Sequence, residues 1–66
     1  EAREYAGMEQ RIAEAEDTLQ QRRANAEDPA IASDAARLLT AHAELDQAQR
    51  EVDVLYERWA ELERKQ

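Results

Sequence analysis

One stripe constrains this chain more than any other feature: Leu38, Ala41, Leu45, Ala48, Val52, Leu55, Trp59 and Leu62. Its gaps alternate three and four, the ~3.5-residue recurrence of a coiled-coil seam. The residues between are almost all charged or polar. A helix with one apolar stripe must bury it against a partner. The earlier part of the chain offers one, because Tyr5, Met8, Ile12, Ala15, Leu19, Arg22 and Ala26 repeat the spacing. The reading is all-α: an antiparallel two-helix coiled-coil hairpin, a single domain over 1–66. It places a helix at about 2–26, a turn at about 27–33 and a second helix at about 34–64.

The turn carries two helix-start signals. Asp28 before Pro29 suits an N-cap followed by the first helical position, and Pro29 disfavours helix in the residue preceding it. Ser33-Asp34 is a second capping candidate. A short turn from Pro29 to Ala32 is expected to run into the long helix. Glu1 and Glu4 at the start of the first helix, and Arg64 and Lys65 at the end of the second, suit the helix dipole. Gly7 lies off the stripe and weakens its helix by about 1 kcal/mol relative to Ala; it reads as a tolerated surface glycine before a weak point or a close approach.

Folding the stripes together about Ala30 sets Tyr5 against Leu55, Met8 against Val52, Ile12 against Ala48, Ala15 against Leu45, Leu19 against Ala41 and Arg22 against Leu38. Large faces small in three successive layers, which fills a seam without voids. Glu4 then falls opposite Arg58, and Arg11 opposite Glu51. In this register Trp59 and Leu62 have no partner in the first helix. They are expected to be protein-contact residues, covered by a preceding segment of a longer protein or by a second copy in a homodimer.

The 66 residues contain no Cys, one Gly and one Pro, and carry a formal net charge of -7. Disulfide and thiolate-metal sites are excluded, and one glycine cannot build a phosphate-cradling loop or dinucleotide fingerprint. No run is apolar enough to span a membrane, and no signal peptide is visible. The sequence opens at Glu1 in what reads as mid-helix, so it is expected to be a fragment of a larger protein. His42 reads as a solvated or ion-paired helix residue near Glu16 before a pH switch or ligand. The carboxylates spread along helical faces rather than pairing in a cleft, and acidic side chains alone bind metal weakly. No catalytic, cofactor-binding or metal-binding residues are assigned.

The one departure from acidity is the hairpin tip, where Arg22, Arg23 and Arg37 are expected to gather beside Asn25. Pairing with Glu27, Asp28 and Asp34 is their bland reading; phosphate contact is the functional one. Tyr5, Tyr56 and Trp59 read as packing rather than a base-stacking platform, since their neighbours are Glu57 and Glu61.

Several pieces together resemble a known family. Glu1-Ala2-Arg3-Glu4, then Met8-Glu9 and Ile12 with Glu14-Ala15-Glu16, resemble the first helix of the C-terminal domain of ABC-F type ATPases, the Uup-like group. Glu27-Asp28-Pro29 with Ser33-Asp34 is similar to that family's turn, and Leu55-Tyr56-Glu57-Arg58-Trp59-Ala60-Glu61-Leu62-Glu63 to its ending. The resemblance covers nearly the whole chain. It implies a cytoplasmic parent with two ATP-binding cassettes and no membrane domain, using ATP and Mg, of which none of the binding residues lie here. It implies that this piece is the parent's non-catalytic coiled-coil hairpin, associated with nucleic acid, either DNA or ribosomal RNA. The charge of -7 departs from a basic DNA-binding surface and leaves Arg22, Arg23 and Arg37 as the contact candidates. The alternative is a structural or oligomerisation module acting through Trp59 and Leu62.

Overall fold

The computed structural model describes residues 2–65. Three helices follow one another: α1 (Ala2–Glu27), α2 (Pro29–Ala32) and α3 (Ala35–Arg64). The long helices α1 and α3 pack side by side as an antiparallel hairpin, 48 × 14 × 12 Å, so the all-α reading holds. Glu4 lies in the first turn of α1 and Arg64 in the last turn of α3, each matching the sign of its helix end; Glu1 lies outside the described residues.

The expected turn is itself mostly helical. Asp28 breaks α1 with extended backbone (φ −63°, ψ 125°), and its carboxylate accepts a hydrogen bond from Ala30 N–H at 2.9 Å. Pro29 then starts a single helical turn at the position where its missing N–H costs nothing. The second break is Asp34, also extended (φ −116°, ψ 108°), whose Oδ1 accepts from the N–H groups of Ala36 and Arg37. Both capping signals are therefore used. α2 prolongs the first arm, and the chain reverses at Ser33–Asp34 rather than about Ala30.

That displacement changes the register. Met8, Ile12 and Leu62 form one buried cluster, with Tyr5, Leu55 and Trp59 packed against it. Leu19, Ala48 and Val52 form a second, joined by Ala15 and Leu45. One register fits both: Tyr5 faces Leu62, Met8 faces Trp59, Ile12 faces Leu55, Ala15 faces Val52, Leu19 faces Ala48, Arg22 faces Leu45 and Ala26 faces Ala41. Tyr5 thus meets Leu62 where Leu55 was expected, a slip of seven residues, or one heptad. A whole-heptad slip keeps every seam residue on the seam, so the stripes survive while their partners change. The correction matters most at the open end. Leu62 is 0% exposed and Trp59 is partly buried, so the unpartnered stripe end expected there is sealed inside the hairpin.

The seam tapers. Ala26 and Ala41, both buried, lie toward the tip, whereas Met8, Trp59, Tyr5 and Leu62 fill the open end. Polar ties between the arms also gather at the open end. Arg58 grips Glu4 bidentately (Nε–Oε2 2.7 Å, Nη2–Oε1 2.8 Å) and reaches Glu61 through Nη1 at 3.2 Å. The expected Glu4–Arg58 pairing is thus present even in the shifted register, because the long Arg58 side chain spans the offset. Arg11 and Glu51 border one groove without forming an ion pair.

Three outcomes check this fold. Leu62→Ala should lower stability by about 2–3 kcal/mol in a thermal melt, since a buried leucine is lost from a packed cluster; in the register centred on Ala30 the same change would be nearly silent. A Cβ at Gly7 would meet nothing within 4 Å, so Gly7→Ala should stabilise by up to about 1 kcal/mol and raise Tm by about 4–8 °C. The Arg58 hydrogen bond, opposed by partial desolvation, holds the Glu4 carboxyl below its ordinary 4.5. Its contribution is therefore present above that value and lost as pH falls through the lowered one. Melts of Glu4→Gln should depend less on pH across that acid window than melts of the unaltered chain.

Candidate functional site

The tip arginines are placed by the two helices that flank the reversal. Arg22 occupies a seam position of α1 but is exposed, and it lines a groove beside α3. An arginine tolerates such a position where its guanidinium reaches water. Arg22 shares that groove with Thr40, Glu44 and Gln47. Arg37 borders a neighbouring groove with Asn25, Ile31 and Ala36, and Thr40 and Glu44 line both. Arg22 and Arg37 thus lie on one flank of the tip, about 12 Å apart along the axis, from eight residues of offset in this register at ~1.5 Å each.

Arg23 lies elsewhere. It borders a groove with Ala13, Glu16, Asp17, Leu19 and Gln20. Successive helical residues point ~100° apart and do not share a face, so the three arginines do not form the single group expected of them. The geometry of a helix alone carries that signal.

The carboxylates expected to pin these arginines are largely engaged by backbone. Asp28 and Asp34 accept N–H groups as caps. Only Asp34 also approaches an arginine, Arg37, at a long 3.7 Å, with the Arg37 side chain 68% exposed. Among the described residues no ion pair involves Arg22 or Arg23. An exposed pair at such a distance contributes little, so the tip guanidinium groups are available to an anion.

The aromatic residues behave differently. Tyr56 and Trp59 lie with ring centroids 6.2 Å apart at 52°. The Tyr56 hydroxyl donates to Glu16 Oε2 at 2.8 Å across the hairpin, and Tyr5 donates to Glu63 at a weaker 3.3 Å. The hydrogen bond to Glu16 raises the Tyr56 phenol above its ordinary value, and desolvation first, then Glu63, raises that of Tyr5. These rings tie helices together beside carboxylates, which is packing chemistry, not a surface for stacking bases. His42 is exposed on α3.

Among the described residues no His, Asp or Glu group could hold a metal ion, and no helix is long and apolar enough to cross a membrane. The grooves are shallow furrows beside the helices, without a water-excluding cleft in which proton transfer or nucleophilic attack could be organised. The hairpin offers a rod with a packed seam, an acidic surface and one flank carrying two exposed arginines.

The family comparison fits this shape. The family model described as the ABC transporter C-terminal domain matches residues 1–64. No curated protein and no solved structure matches the chain. With nearly its whole length accounted for, this helical hairpin belongs to the ABC transporter C-terminal domain family.

Proposed function

We propose that the hairpin is the non-catalytic C-terminal appendage of an ABC-F type, Uup-like ATPase of the cytoplasm, and that its tip contacts nucleic acid, either DNA or ribosomal RNA. In that parent, ATP and Mg are held by the cassettes, and this rod extends from them. The observation that carries the nucleic-acid reading is the state of the tip arginines. The chain has 16 acidic residues, yet among the described residues Arg22 and Arg23 form no ion pair and Arg37 has only a long one. Uncompensated guanidinium groups on an exposed surface are suited to phosphate oxygens. The overall charge of -7 makes such contact local: a nucleic acid would meet the tip and be repelled by the shaft.

The competing reading is a module that oligomerises through Trp59 and Leu62. It rested on an exposed stripe end. Leu62 is fully buried and Trp59 packs on the same cluster, so neither supplies a free surface and the homodimer loses its motivating feature.

Duplex DNA and structured RNA titrated against the 66-residue chain over a salt series test the proposal. Binding should weaken linearly in log affinity against log salt and disappear when Arg22, Arg23 and Arg37 are all changed to Glu. Absence of binding at low salt, where screening is weakest, or binding indifferent to that triple change, would sink it.

A further inference from the structure

The structure divides the three tip arginines between two flanks. Arg22 and Arg37 border adjoining grooves that meet at Thr40 and Glu44. Asn25 and Thr40 bring an amide and a hydroxyl to the same flank, both able to donate and accept. Thr40 Oγ1 donates to Ala36 carbonyl oxygen at 3.3 Å, which leaves its lone pairs free to accept. The Arg22 groove also holds Glu51 at its far end, whereas Arg23 borders a separate groove with Glu16 and Asp17 and without a second arginine. Resting on the nucleic-acid reading above, we propose that the Arg22–Arg37 flank alone is the seat, that it takes an RNA backbone, and that Glu44 is the brake on its affinity.

The choice of RNA follows from the neutral groups. Guanidinium groups about 12 Å apart along the axis engage separate phosphates of one strand, each through charge-assisted bonds. Asn25 and Thr40 between them can exchange hydrogen bonds with a ribose 2′-hydroxyl, the group that distinguishes RNA from DNA at a contact. Glu44 is the one carboxylate common to both grooves. It forms no ion pair with Arg22 or Arg37, so it does not quench them in the free protein. Its charge instead opposes the incoming phosphates and limits binding.

Four single variants of the 66-residue chain, each checked for helicity by circular dichroism, separate the possibilities. The probe is a structured RNA hairpin, with the DNA hairpin of the same sequence alongside. Arg22→Gln and Arg37→Gln should each weaken RNA binding about tenfold and lower the salt slope by about one. Arg23→Gln should leave affinity and slope unchanged. Glu44→Gln should tighten binding by about threefold at low salt. The DNA hairpin should bind more weakly than the RNA. If the unaltered chain binds neither probe at low salt, the nucleic-acid reading itself fails. If it binds but Arg23→Gln costs as much as Arg22→Gln, or Glu44→Gln has no effect, that reading stands and the one-sided seat is overturned. Equal binding of RNA and DNA overturns the ribose contact.

Discussion

Asp34 leaves helical geometry and takes up the N–H groups of Ala36 and Arg37, so α3 starts there. In a two-helix hairpin this single cap sets the pairing of every layer that follows. The arms are joined at one end, so the position of the reversal determines which residues lie level with one another. Had Asp28 begun the second arm, Tyr5 would have stood beside Leu55, and Trp59 and Leu62 would have hung free. With α2 kept on the first arm, they enter a cluster with Met8 and Ile12. The register therefore buries the largest side chains of the second helix, and the hydrophobic gain from doing so favours it over the alternative.

This explains what the sequence disclosed and what it withheld. Both stripes were legible because periodicity is local: each helix advertises its own apolar face. The Asp28-Pro29 and Ser33-Asp34 pairs were legible too, as residue types that satisfy orphan N–H groups. The choice between the two as the point of reversal was not, because a one-heptad slip leaves the seam pattern intact and alters only the pairing. The fit of large against small does not discriminate between the two registers. In the observed register Leu19 still meets Ala48 and Ala15 still meets Val52. The Glu4–Arg58 pair discriminated no better, since a long arginine reaches across either offset.

The site divides along the same line. Exposed arginines near the turn could be read from their spacing, and the family description agrees with the resemblance at the level of an ABC transporter C-terminal domain. The grouping of the arginines required the fold. Arg22 and Arg37 share a flank only because α3 overshoots the end of α1 and brings Thr40 and Glu44 between them. Arg23 follows its helix to another face.

Among the described residues, the side-chain bonds from α1 to α3 all fall on Glu4, Tyr5 and Glu16 in the first arm and Tyr56, Arg58 and Glu63 in the second. The bulkiest packing is there as well. The arms are thus cross-tied toward the open end and joined by the chain itself at the reversal. Gripped at the open end, such a 48 Å rod would act as a lever, turning a small rotation there into a larger sweep of the tip.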